Sequence, residues 1–292
     1  MRPGTAPGIA SALVAACGYG LAYVVARMAY DYGLNSFTLN VLRFLALAVI
    51  VAVWIALARG DYRLPRASLA ITLLMGVLIT AAGITNFASI AYIPVSLAVL
   101  IFYTYPLVTL ILNSIVERRA PAPREYLAFL CAFAGLTLVL QVSVVQLNTR
   151  GVALALAGAL TAGAHLVAAQ HAMRSAGFRV VLLYMSLSAC VLTGLATLTF
   201  GQLALPVAGQ GMWLLGCVIA AFCVGMGALL AGVRMIGPVR TSIIMCMEPP
   251  LVISFAYLLL GERLSTIQLL GSALVVAAIV IAQTGRPRIA ST

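Results

Sequence analysis

Read for hydropathy alone, the chain is a succession of apolar runs separated by short clusters of glycine, proline and charge. Each run is about 20 residues long, the length a helix needs to cross the hydrocarbon core of a bilayer. The punctuation marks where one run stops and the next begins. Ten helical spans are predicted, at 7–29, 36–58, 67–91, 94–116, 123–141, 151–173, 179–200, 211–234, 239–260 and 264–284. The expected fold is an all-α polytopic membrane protein of ten transmembrane helices. The first run is too long for a signal peptide and is followed by many others, so no leader is expected.

Composition agrees. Of 292 residues, 64% are hydrophobic and 8% charged, whereas a soluble domain carries about a quarter of its residues as charges. The net charge of +11 comes from 17 basic residues, all of them arginine. In a soluble chain that balance would suggest nucleic acid. Here no basic patch is interleaved with stacking aromatics, and nucleic acid is not expected as a partner. The arginines instead fall between spans and set orientation. With the N-terminus in the cytoplasm, inside segments hold Arg2, Arg59, Arg63, Arg66, Arg118, Arg119, Arg124, Arg174, Arg179, Arg234, Arg240, Arg286 and Arg288. Only Arg27, Arg150 and Arg263 fall outside, and Arg43 lies within a span. Both termini are therefore expected in the cytoplasm, in a bacterial-type inner membrane. The six cysteines show no CxxC pairing and read as small buried hydrophobes.

The chain also resembles itself. Displaced by 144 residues, IPVSLAVLIFYTYPLV (93–108) falls on GPVRTSIIMCMEPPLV (237–252). Pro94, Val95, Pro106, Leu107 and Val108 meet Pro238, Val239, Pro250, Leu251 and Val252, and Gly83 meets Gly227. Two repeats are expected, at 1–145 and 146–292. Five spans each is an odd number, so the second should run through the membrane upside down. Inverted repeats are a plan of secondary transporters, which hold substrate near the midplane between the halves.

Several segments carry a family resemblance: LNVLRFLALAV, AYIPVSLAVLIFYTYPLV, RGVALALAGALTAGAH and EPPLVISFAYLLLGERLSTIQLLGSALVV. They are spread over almost the whole chain, which resembles EamA-type members of the drug/metabolite transporter superfamily. The last segment is the most specific, with Glu-Pro in the ninth span, then Gly-Glu, then Gln-Leu-Leu-Gly opening the tenth. The first half departs from this pattern, with Thr104 where Glu248 would stand and VERRAPAPREY in place of GERLSTIQ. The resemblance implies a ten-helix bundle that exports amino acids, related small metabolites or toxic compounds. MCMEPP…LGE is especially similar to threonine/homoserine exporters.

Candidate chemistry lies where polarity interrupts the apolar runs. Glu248 is nine residues into its span, a depth at which a charge faces a cavity or a partner. It is either a ligand for a substrate amine or proton, or a structural carboxylate that caps amides near Pro249-Pro250 or pairs with arginine. Arg43 is equally unusual, and either clamps a substrate carboxylate or pairs with Glu248 or backbone carbonyls. Together the two could hold a zwitterion. Tyr19, Tyr23 and Arg27 follow one another at steps of four along one helix face, lining a pathway or packing between helices. Thr161 and His165 share a face in the sixth span, where His165 is a proton shuttle or a packed core histidine. Asn86, Tyr103, Tyr105, Tyr184 and Ser188 are further candidates, with interhelical hydrogen bonding as the alternative. Pro106, its repeat mate Pro250 and the neighbouring Pro249 are expected to kink their helices and to serve as gate hinges. Glu117 and Glu262 read as solvated loop charges. Small residues at Gly225, Ala228 and Gly232 suit close helix contact.

Motifs for zinc hydrolysis, nucleotide binding or nucleophilic catalysis are not found. The chain is expected to be no enzyme and to take no cofactor or metal. The expected function is secondary-active export of amino acids or related small metabolites by alternating access, with possible proton coupling. A proton-coupled exporter of lipophilic cations is the alternative, and a membrane enzyme or a scaffold is a more distant one.

Overall fold

The structure, a computed structural model, describes residues 5–142, 148–201, 203–206 and 209–283. Arg2, Arg286 and Arg288 lie outside the described residues. All regular structure among those residues is helical. The elements are α1 (Thr5–Tyr30), α2 (Ser36–Leu57), α3 (Arg66–Ser89), α4 (Val95–Phe102), α5 (Tyr105–Val116) and α6 (Pro123–Val139), then α7 (Thr149–Ser175), α8 (Phe178–Phe200), α9 (Gln210–Ile236), α10 (Pro238–Met245), α11 (Glu248–Leu260) and α12 (Thr266–Gln283). Taking α4–α5 and α10–α11 each as one passage, nine passages are long and apolar enough to span a bilayer. The tenth, α6, has 17 residues, which still suffices for a thin or untilted crossing.

Turn chemistry shapes the ends. Asn35 accepts from the Thr38 amide at 2.8 Å and caps α2, while Asn148 accepts from Arg150 and caps α7, the role these short polar side chains fill best. Gly237 is the single residue between α9 and α10 and has φ of 85°, a conformation that glycine adopts without steric cost.

Contacts between the ends sort the loops into two sets. Arg174 at the end of α7 pairs with Glu117 at the end of α5. Ser68 near the start of α3 hydrogen-bonds Ser175 at 2.9 Å. Arg240 at the start of α10 lies within electrostatic range of Arg119, between α5 and α6, and of Arg124 and Glu125 in the first turn of α6. The start of α1 meets the end of α9, since a Cβ on Gly8 would come within 2.9 Å of Met235. The arginines from Arg59 to Arg240, Arg150 apart, are thereby gathered at one end, in loops and in terminal turns of helices. At the other end Gln141 bonds Ser265 at 2.6 Å, and Gly151, opening α7, packs on Tyr92 and Ile93.

Small residues set how closely the helices approach. A Cβ on Gly18 would sit 2.8 Å from the Ala221 carbonyl and 2.9 Å from the Gly225 Cα, so α1 and α9 touch backbone to backbone. Gly232 lies against Ala12 in the same pair, as expected of that small-residue run. Gly135 of α6 and Gly271 of α12 make the equivalent contact. Without a hydrophobic drive between helices in lipid, such close van der Waals packing is what associates them. Large residues that close packing excludes, such as Leu57, Leu198 and Leu258, are exposed and face lipid at no cost.

The prolines do something other than bend a continuous rod. The helix stops before them and restarts, leaving Tyr103–Thr104 between α4 and α5, and Cys246–Met247 between α10 and α11. Pro106 then stands in the first turn of α5, and Pro249 and Pro250 in the first turn of α11. A proline there sacrifices no helical bond, because first-turn amides have no intrahelical acceptor. The two interruptions fall within one residue of the 144-residue offset between the repeats.

Candidate functional site

Each interruption frees backbone groups at mid-depth. Pro106 has no N–H to offer the Phe102 carbonyl, and Pro249 and Pro250 offer none to Met245 and Cys246. Tighter bonds of the 3₁₀ kind fill part of the gap, from Thr104 to Ile101 at 3.0 Å and from Met247 to Ile244 at 2.9 Å. The Thr104 hydroxyl donates back to the Ile101 carbonyl at 2.7 Å, so the residue opposite Glu248 in the repeat is satisfied locally. Glu248 is not. It opens α11, where the positive end of the helix dipole favours a carboxylate, and its polar neighbour is Tyr103 from the other interruption. The two breaks thus face each other through these two side chains.

Helix α1 completes this side. A Cβ on Gly20 would lie 3.5 Å from the Glu248 carbonyl oxygen and 3.3 Å from Leu251. That approach brings Tyr19 and Tyr23, on either side of Gly20, into electrostatic range of Glu248. Tyr23 is 55% exposed although it sits in a transmembrane helix among these groups. Tyr105 is buried between Phe102 and Tyr103, its ring 5.8 Å from that of Tyr103.

Arg43 lies beyond the tyrosines. Tyr19, Tyr23 and Tyr30 are its electrostatic neighbours, and its guanidinium carbon stands 4.5 Å over Phe222 and 5.3 Å over Phe44. Those two rings meet edge to face at 5.3 Å, so the cation rests on an aromatic shelf. A planar guanidinium stacked in this way keeps its N–H edge available. The Nε of Arg43 is buried and has no partner. The expected pairing of Arg43 with Glu248 does not form among the described residues. Ion pairs there include Arg27–Asp31 and Arg174–Glu117, the latter correcting the reading of Glu117 as a merely solvated charge. Tyr19 and Tyr23 are electrostatic neighbours of both Glu248 and Arg43, while the Tyr19 hydroxyl donates to the Met226 sulfur at 3.4 Å.

Arg43 also lines a cavity of about 370 Å³ between α2, α3 and α8. Phe37, Ile84, Phe87 and Phe200 make it apolar, and Asn40, Thr80, Thr193 and Thr197 supply polar atoms. The Thr80 hydroxyl is a second buried group with no partner. Among the lining residues there is no carboxylate, so Arg43 is the one charge that faces this space.

The remaining candidates fall elsewhere. His165 is buried between α7 and α3, with Nδ1 3.1 Å from the Met75 carbonyl and Nε2 without a partner. It is not an electrostatic neighbour of Glu248 or Arg43. Asn86 does not line the cavity, and its Oδ1 is buried and unpartnered. Thr161 bonds within its own helix, and Ser188 donates to the Leu73 carbonyl across the α3–α8 contact. Sequence reasoning missed Tyr30 and Phe222. Tyr30 was within reach, being seven residues beyond Tyr23 on the same face. No pattern in the chain points to Phe222.

Residues 6–141 and 149–284 each match the EamA-like transporter family. No curated protein is matched. A solved structure titled "Crystal structure of protein" superposes with a TM-score of 0.76. The match covers 96% of this chain and 97% of the other at 17% identity, a likeness of fold.

Proposed function

The chain belongs to the EamA-like transporter family, and on that premise we propose that it exports amino acids or related small metabolites by alternating access. The observation that carries this reading is that Glu248 and Tyr103, each at the break of its own half, lie within interaction range of each other. Discontinuous helices that meet at the midplane are where secondary carriers place substrate. The opposite courses of α1 and α7 through the bundle support an inverted pair of repeats. The clustering of arginine loops at one end supports placing that end, and both termini, in the cytoplasm.

In this scheme Glu248 takes the substrate ammonium, or a proton in its absence, and Arg43 takes the carboxylate. Tyr19 and Tyr23 line the space between. The apolar cavity beside Arg43 receives the side chain. Alternate occupancy of Glu248 by proton and substrate would couple export to a proton gradient. The breaks allow each half-helix to swing about its proline-capped start without breaking interior hydrogen bonds.

Counterflow in proteoliposomes tests the proposal. Labelled amino acids should exchange across the membrane, and Glu248→Gln and Arg43→Gln should each abolish exchange while the protein stays folded. Normal exchange by both variants would remove this site from the mechanism. Flux of lipophilic cations alone, lost in Glu248→Gln, would favour the other exporter reading, which the tyrosine rings around a single carboxylate also suit. No flux of any compound from well-folded protein would overturn carriage.

A further inference from the structure

A second cavity, of about 380 Å³, opens at the arginine-rich end between the end of α2, the start of α8 and the end of α9. Trp54, Asp61, Phe178, Arg179 and Arg234 line it, with the backbone of Gly60 and Gly177. The guanidinium carbon of Arg179 stands 4.4 Å over the Trp54 ring, which fixes its plane and leaves its donors free to point into the cavity. Arg179 and Arg234 make no ion pair among the described residues. The single carboxylate, Asp61, already accepts from the Arg63 amide at 2.9 Å. Two cations therefore face one anion, and the cavity is left with one positive charge in excess.

Its depth and its flank define the anion further. Trp54 is in the last turn of α2, Arg179 in the first turn of α8 and Arg234 in the last turn of α9. All three stand where helices leave the hydrocarbon, the level at which indole rings and lipid headgroups meet. Directly along the α2 face, Ile50 and Leu57 flank Trp54 at helical spacing and are 52% and 81% exposed. A soluble phosphate could use the guanidinium groups but not this apolar strip. A phospholipid uses both, its phosphate on the arginines and its chain along Ile50. Basic pockets between helices at the membrane surface bind anionic headgroups on the same physical grounds.

We propose that this cavity is a binding site for the headgroup of an anionic phospholipid, separate from the transport site. Substrate handling need not involve it, so it stands whether or not the export reading does.

The chain has two tryptophans, and Trp213→Phe leaves Trp54 as the sole indole reporter. The purified variant is reconstituted in phosphatidylcholine nanodiscs containing a small fraction of bromine-labelled phosphatidylglycerol, or the same fraction of bromine-labelled phosphatidylcholine. Trp54 fluorescence is the readout. Phosphatidylglycerol should quench more strongly than phosphatidylcholine at equal bromine content. Removing Arg234, which is exposed and safe to fold, should lower the preference about fivefold, and removing Arg179 as well should lower it by a similar factor again. Arg118→Gln, at the same end but outside the cavity, should leave the preference intact. Equal quenching by the two lipids overturns the proposal. So does a loss in Arg118→Gln that matches the loss in Arg234→Gln, because diffuse surface charge would then suffice. Displacement of the labelled lipid by millimolar inorganic phosphate would assign the site to a soluble anion instead.

Discussion

Tyr103 is the residue on which the site turns. Its ring packs 5.9 Å from Phe102 and 5.8 Å from Tyr105, while Glu248 lies within its interaction range. Tyr103→Phe keeps the packing and removes only the donor. A hydrogen bond to a charged group contributes about 1.5–3 kcal/mol, so apparent substrate affinity should change by about tenfold or more. The melting temperature in detergent should fall by about a few degrees at most. A variant that loses stability but keeps its transport constants would show that the hydroxyl only braces the two breaks. Glu248 and Arg43 were themselves legible in the sequence, because a charge in an apolar run stands out against its neighbours. What they face was not. The Arg43 shelf depends on Phe222, 179 positions away in α9, and nothing local to either residue records that contact.

Elements in this bundle are held by approach rather than by size. Between α1 and α9 the limiting contact at Gly18 is with backbone, at Ala221 and Gly225, which cannot turn aside as a side chain can. Gly18→Leu should force the helices apart at a cost of about 1–3 kcal/mol or more, seen as a lowered melting temperature. Gly227 in the same helix has open space around the position of a Cβ. Gly227→Ala should therefore stabilise by up to about 1 kcal/mol through helix propensity alone. Equal responses from the two variants would mean that packing at Gly18 does not limit the contact. The span boundaries were readable to within a few residues, because hydropathy and punctuation follow bilayer thickness. The interruptions were readable only as prolines. Proline permits either a kink or a fresh start, and the choice of a fresh start depends on neighbours such as Tyr103 and Gly20 that occupy the break.

Across the whole molecule, polar contacts join the two halves at the arginine-rich end. Arg174 and Glu117 meet at 2.6 Å and join the end of α7 to the end of α5, one from each half. Both side chains are part-exposed, at 48% and 32%, so the pair contributes up to about 1 kcal/mol. If that end opens to release or admit substrate, Glu117→Gln should shift the conformational balance toward the opening by up to about fivefold. Cross-linking or labelling rates at cysteines placed beside the pair would report the shift. The exchanged pair Glu117→Arg with Arg174→Glu should restore the native rates, and failure of either single change to alter them would show that this pair holds nothing closed.

The sequence by itself determined the class, the ten passages and the twofold match to one family. Those properties are additive along the chain: hydropathy sums over a span, and a repeat is a comparison of the chain with itself. It also marked the charges worth attention, since desolvation makes each one costly wherever it lies in the membrane. Only the tertiary structure decided that Glu248 meets Tyr103 and not Arg43, that Arg43 rests on Phe222, and that His165 turns to the Met75 carbonyl instead of the site. Each of these depends on which helix faces abut, and that is settled by a few glycine contacts whose partners lie far apart in the chain. A one-dimensional pattern fixes what a helix must bury or expose to lipid, while the identity of the neighbour is a property of the packed bundle.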